Sequence, residues 1–176
     1  SRLKDLDADL LLCDLEWENP AASLKTFLQR GAMEGLLAAG LPVDGSIGDE
    51  LRALGRPIVL VGSQWDNLDS FYWDETAGAR RATEHLLDRG HRRVGLITTH
   101  HQSPTRDARI RGYKRAMMDA GIQPREEWIT TGCTEKHAGF SEESGCEAMQ
   151  TLMRTSAEVT AVFASSDVQA IGAWQA

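Results

Sequence analysis

The sequence predicts an α/β protein made of two doubly wound lobes, each built on a parallel sheet. Three observations carry that expectation. Short runs rich in Leu, Ile and Val alternate with amphipathic stretches, the pattern of strands buried on both faces and covered by helices. Most connections between successive runs are long enough to hold a helix, and crossovers of that kind require parallel strands. Charge is also unevenly spread: residues 1–92 carry 16 acidic and 10 basic side chains, whereas residues 93–176 carry 10 and 9.

The apolar runs place strands at 10–14, 35–39 and 57–62, with a weaker one at 70–73, then at 94–99, 128–131 and 160–165. Helical patterns fall between most of them, at 21–30, 48–54, 76–89, 104–120, 142–154 and from 168 to the end. Some of these have recognisable ends. The 76–89 helix stops at Gly90, a glycine suited to a left-handed cap, before a new strand begins. Ser103 is a plausible N-cap with Pro104 at the first helical position. Ser141 caps the next helix, with Glu142 and Glu143 in its first turn where the helix dipole favours them. Asp167 reads as the N-cap of the last helix. The border between lobes is placed at the charge change, giving an N-terminal lobe over 1–92 and a C-terminal lobe over 93–176. No low-complexity tract or Gly/Ser linker separates them, so the joint is expected to be short.

Composition narrows the function. The 176 residues are 41% hydrophobic and 26% charged, within the range of globular proteins. No apolar run approaches the ~20 residues of a membrane span, and residues 1–5 lack the apolar core of an export signal. Three cysteines without CxxC spacing disfavour a disulfide framework and a zinc site. A cytoplasmic, reducing location follows, with no membrane partner. A net charge of −7 opposes binding to nucleic-acid phosphates. Residues 1–7 read as the tail of a helix and the last helix has barely two turns. The second half offers three strands where a doubly wound lobe usually has about five. The chain is expected to be an incomplete part of a longer polypeptide.

Ligands of parallel α/β sheets collect beyond the carboxyl ends of the strands, where helix N-termini point outward. Three such junctions lie in the second half. At the first, Thr105 and Arg106 occupy the opening turn and Arg109 follows on the flank of a core stripe of Ile110, Tyr113, Met117 and Ala120. The Arg109 guanidinium is suited to sugar hydroxyls or a carboxylate. The competing reading is one exposed arginine among Arg106, Arg111, Lys114 and Arg115. At the second junction Phe140 precedes the Ser141 cap. It is either a hydrophobic staple or a ring that stacks on a ligand, and Gly145 at the fourth helical position gives a staple little to grip. At the third, Ser165-Ser166-Asp167 follows a buried strand, and capping and ligand contact are compatible there.

Other groups give no chemistry. His100, His101 and His137 lack metal-ligand spacing, and the adjacent pair is expected in a solvent-facing loop, with rings on opposite sides of an extended chain. Phosphate-loop, dinucleotide-loop, zinc-protease and nucleophile-elbow motifs are absent. No cofactor, metal or catalytic constellation is expected, and the chain is not read as an enzyme.

Six motifs follow one another in chain order. They are Arg56-Pro57-Ile58-Val59-Leu60-Val61, Asp74-Glu75-Thr76-Ala77-Gly78-Ala79, and the run His85-Leu86-Leu87-Asp88-Arg89-Gly90-His91-Arg92-Arg93-Val94-Gly95-Leu96-Ile97. Arg109-Ile110-Arg111-Gly112-Tyr113, Phe140-Ser141-Glu142-Glu143-Ser144-Gly145 and the 161–172 segment continue the series. Together they resemble the effector-binding core of the LacI/GalR family of bacterial transcription regulators, and the resemblance spans nearly the whole chain. It implies two Rossmann-like lobes of periplasmic-binding-protein type, with a small sugar-like or nucleoside-like effector clamped in the cleft between them.

By this resemblance Arg109 forks onto the ligand, Thr105 offers a hydroxyl, Phe140 stacks and Ser166 meets polar groups, with Asp167 beside it. Ser166 stands where sugar-binding members often carry Asn. Thr134 and Glu135 are placed at the border of the site's mouth. The resemblance also implies a homodimer through the 142–154 and 168–176 helices, in which Met149, Leu152, Met153 and Ile171 are core or interface. Operator DNA would be met only through a helix-turn-helix head absent from these residues. The alternative sharing the fold is a periplasmic sugar-binding protein of a transport system.

Overall fold

Two three-stranded parallel sheets organise the chain, one in each of two units, Ser1–Trp73 and Asp74–Ala176. The computed structural model describes residues 9–13, 20–28, 33–41, 43, 45–134 and 136–176. The α/β class and the parallel sheets expected from the sequence are what is observed.

The first unit contains α1 (Pro20–Leu28), β1 (Leu36–Ala39), α2 (Gly45–Ala53), β2 (Ile58–Val61) and β3 (Asp69–Phe71). The sheet order is β1-β2-β3, with Leu36 opposite Ile58 and Val59 opposite Asp69. Leu24 of α1, Ile47 and Leu51 of α2, and Ile58 and Leu60 of β2 form its core, joined by Ala38 and Leu41. Only alternate residues of β2 are fully buried, so one face of this sheet is covered better than the other.

The strand expected at 10–14 is not seen over 10–13. None of residues 9–13 is in a strand, and Leu10, Leu11 and Leu12 are 68%, 77% and 89% exposed. A run of leucines becomes a strand only where a neighbour completes its N–H and C=O pairing along its length. Asp14 lies outside the described residues.

The second unit runs α3 (Glu75–Asp88), β4 (Val94–Thr98), α4 (Pro104–Asp119), β5 (Ile129–Thr131), α5 (Glu142–Thr155), β6 (Ala161–Ala164) and α6 (Asp167–Trp174). Two short 3-10 turns, Glu126–Trp128 and Lys136–Gly139, precede β5 and α5. The order is β5-β4-β6, and the central strand β4 is buried at all five positions. Leu87, Val94, Leu96, Tyr113, Ala116, Met117 and Trp128 build the core on one face. The Tyr113 hydroxyl donates to the Val94 carbonyl at 2.7 Å, and burial pushes the phenol's pKa well above its ordinary value.

The division between units falls before α3, between Trp73 and Asp74, and not at the 92/93 border that charge suggested. Packing explains the shift. A Cβ on Gly112 of α4 would run into the Thr76 carbonyl and the Ala79 side chain, so α3 and α4 approach backbone to backbone. Gly90 does take the left-handed conformation, φ +92°, with its N–H on Leu87 O. It ends a helix within a unit.

Candidate functional site

The carboxyl ends of β4, β5 and β6 open onto the N-termini of α4, α5 and α6, and each of these helices is capped by a serine. Ser103 accepts from Arg106 N at 3.1 Å, Ser141 from Ser144 N at 3.1 Å, and Ser166 from Gln169 N at 3.3 Å. The first two caps are those the sequence indicates. The third corrects the assignment to Asp167: Ser166 is extended (φ −148°, ψ 157°) and its hydroxyl reaches the N–H three residues on. Asp167 is the exposed first residue of α6, where its charge complements the helix dipole.

Arg109 reaches across the sheet edge as its position on α4 predicts. Its Nη1 donates to the Ser165 carbonyl at 2.9 Å, bringing the first junction onto the third. Its Nε and Nη2 grip the two Glu75 carboxylate oxygens at 2.8 and 3.2 Å. Both side chains are about four-fifths buried, at 20% and 19% exposure. The exposed-arginine reading is thereby excluded for Arg109. Arg106 is also engaged, donating through Nε to the Thr99 carbonyl at 2.8 Å and through Nη1 to Gln102 and Asp107, each at 3.2 Å.

The second junction is tied to the other two by Gln169, a residue the sequence reading passed over. Its side chain is completely buried. Nε2 donates to the Thr98 carbonyl at 3.2 Å and to the Gly139 carbonyl at 3.0 Å. Oε1 accepts from Ser165 and Ser166 hydroxyls at 2.9 and 3.3 Å. One amide thus joins the end of β4, the turn before Phe140 and the β6–α6 corner. The available signal is the Ser166-x-x-Gln169 spacing, a helix-start pattern. Glu75 carried no comparable signal, because its role depends on α3 packing against α4.

Phe140 is half-buried. A Cβ on Gly145 would strike the Gln169 backbone, and one on Gly172 would strike the Glu142 backbone, so both glycines serve the close approach of α5 and α6. Thr105 is half-buried one turn before Arg109. Thr134 is half-buried in the loop after β5, and Glu135 lies outside the described residues.

His100 and His101 depart from expectation. Both are half-buried, with ring centroids 4.3 Å apart and planes 36° apart. The chain bends immediately after β4, where His101 N donates to Thr99 Oγ1 at 3.2 Å, so the alternation of an extended strand no longer applies. Among the described residues no group of three or more His, Cys, Asp or Glu is placed to hold a metal ion.

A hollow of about 540 Å³ lies elsewhere, along β6 between α5 and α6, lined by Met149, Leu152, Met153, Val162, Ala173 and Trp174 among others. Its apolar walls lack the convergent polar groups that orient a small hydrophilic ligand. Leu152 is core, whereas Met153, Ile171 and Trp174 are 53%, 45% and 90% exposed.

Comparison with known proteins matches this architecture. The family model for periplasmic binding proteins and the sugar binding domain of the LacI family covers residues 2–176. The chain is 37% identical over 126 residues to the ribose operon repressor of Haemophilus influenzae, covering 70% of this chain and 36% of that protein. It is 34% identical over 140 residues to the HTH-type transcriptional repressor CytR of Escherichia coli, covering 78% of this chain and 39% of that protein. It therefore spans less than half the length of these repressors. The solved complex of the transcriptional regulator CelR with cellobiose superposes with a TM-score of 0.81 at 26% identity, over 98% of this chain and 52% of that one. A model matched along almost the entire length, together with two parallel sheets in the same arrangement of elements, shows that the chain belongs to this family, as an effector-binding domain of the LacI-type regulators.

Proposed function

We propose that this domain senses a small sugar-like or nucleoside-like effector at the carboxyl edge of β5-β4-β6 and passes its presence to a DNA-binding head, as part of a cytoplasmic transcription regulator. The observation that supports the site most is the hydrogen-bonded junction of Arg109, Thr98, Ser165, Ser166, Gln169 and Gly139, which gathers the ends of β4 and β6 and the turn before Phe140 at one edge. Arg109 and Thr105 offer donors to ligand hydroxyls, Phe140 a stacking face, and Ser166 and Asp167 polar contacts. Effector binding favours one of two conformations of the regulator and so alters the geometry of the head. The exposed apolar residues Met153, Ile171 and Trp174 on α5 and α6 support a homodimer through these helices. The named repressors among the relatives favour this reading over a transport protein.

The test is a thermal-shift screen of D-ribose, cellobiose, adenosine and cytidine against the wild type, Arg109→Ala and Phe140→Ala. A ligand at 100 times its Kd adds about 2.7 kcal/mol. The proposal expects stabilisation that both substitutions remove. Stabilisation unchanged in both would refute the site.

A further inference from the structure

We propose that the Glu75–Arg109 pair makes this rim selective for neutral, hydroxyl-rich effectors and closes it to anionic ones such as sugar phosphates, sugar acids and nucleotides. The inference rests on the effector-site reading above and specifies the ligand class.

Helix N-termini at the end of a parallel sheet ordinarily form an anion site, because free N–H groups and the positive ends of three dipoles converge there. In this chain that potential is already answered from within. α3 begins with Asp74, whose carboxylate accepts from Ala77 N at 2.9 Å, followed by Glu75. Asp107 lies in the first turn of α4, Glu142 and Glu143 in that of α5, and Asp167 in that of α6. Six carboxylates thus stand at four helix starts. The guanidiniums of Arg106 and Arg109 are both committed, the first to Asp107 and the Thr99 carbonyl, the second to Glu75 in a two-point pair.

The pair still has something to offer a neutral ligand. Arg109 spends one N–H on each of three contacts, to Glu75 Oε2, Glu75 Oε1 and Ser165 O, and two of its five N–H groups lie beyond those bonds. The Glu75 carboxylate is the acceptor of that pair. A donor fork beside an acceptor matches neighbouring hydroxyls, each of which both gives and takes a hydrogen bond. A phosphate or carboxylate group, even one that keeps a proton, brings a net negative charge that the Glu75 carboxylate repels at close range.

The probe is inorganic phosphate, followed by amide chemical shifts of the full 176-residue chain. In the wild type the amides of Thr105, Arg106, Ser166 and Asp167 should show no saturable shift at millimolar phosphate. In Glu75→Gln, which keeps the side-chain shape and removes the charge, they should shift with saturation, and Glu75→Ala provides a second form of the same test. The double variant E75Q/R109Q should lose the response again. Saturable phosphate binding by the wild type at these amides would overturn the proposal, and so would its absence from both charge-removed variants. With paired ligands, ribose 5-phosphate should bind the wild type at least ~10-fold more weakly than D-ribose, with the ratio narrowing in Glu75→Gln. Equal or tighter binding of the phosphate ester would overturn the proposal. The outcomes separate from those for the site: a neutral ligand whose affinity ignores Arg109→Ala removes the site assignment while the phosphate result stands.

Discussion

Arg109 of α4 and Glu75, the first residue of α3, form a two-point ion pair at 2.8 and 3.2 Å while the same guanidinium holds the Ser165 carbonyl. One side chain therefore serves both the packing of its unit and the site. Arg109→Ala leaves a four-fifths-buried carboxylate without this partner, so a loss of about 1–3 kcal/mol is expected in urea unfolding, with the unit still folded. A loss below ~0.5 kcal/mol would show that the pair behaves like an exposed one.

Gln169 carries the densest buried network of the rim. Gln169→Ala removes four hydrogen bonds, from the Ser165 and Ser166 hydroxyls and to the Thr98 and Gly139 carbonyls, and a cost of about 2–3 kcal/mol is expected by denaturation. Gln169→Glu adds a sign test. A carboxylate facing those two carbonyl oxygens has its folded pKa raised, so the variant should be more stable at pH 5 than at pH 8 relative to the wild type.

Two kinds of helical glycine should respond in opposite directions. Gly145→Ala and Gly172→Ala force α5 and α6 apart and should each cost about 1–3 kcal/mol. Gly78→Ala in α3 meets no atom within 4 Å and should gain about 0.5–1 kcal/mol from helix propensity and the stiffer unfolded chain. Thermal unfolding of the three variants checks both signs.

Much of this architecture was legible because it is local. The apolar runs of β2, β4 and β6, the serine caps at 103 and 141, and the stop at Gly90 each depend on neighbours a few residues away. What stayed hidden depends on long-range packing. Glu75 becomes a partner of Arg109 only once Gly112 lets α3 settle on α4. Gln169 becomes a hub only when the ends of β4 and β6 and the turn before Phe140 meet. The same limit explains the lost strand at 10–14, since apolar content does not supply a pairing neighbour, and the border at 92/93, since charge balance does not report which helix packs on which sheet. Phe140 and Thr105 are named as site residues on chain position, and the structure adds that both are half-buried.

A hydrogen-bonded latch at the opposite end of the strands should respond to acid. Glu158 accepts from Trp128 Nε1 at 3.1 Å and Arg125 Nη1 at 3.2 Å, and its carboxyl is held below the usual range first by a backbone hydrogen bond and then by these partners. A depressed pKa contributes stability above the ordinary carboxylate range and loses it as pH falls through the folded value. The wild type should therefore lose stability below about pH 4.5 more steeply than Glu158→Gln. Parallel pH profiles would contradict the latch.

The central claim, that a small effector is gripped where β4, β5 and β6 end, is tested most directly by mapping backbone amide shifts during titration with the most stabilising sugar or nucleoside. The predicted map centres on Thr105, Arg109, Phe140, Ser165 and Ser166. A map confined to Met149, Leu152, Val162 and Trp174, along the apolar hollow beside β6, would contradict it.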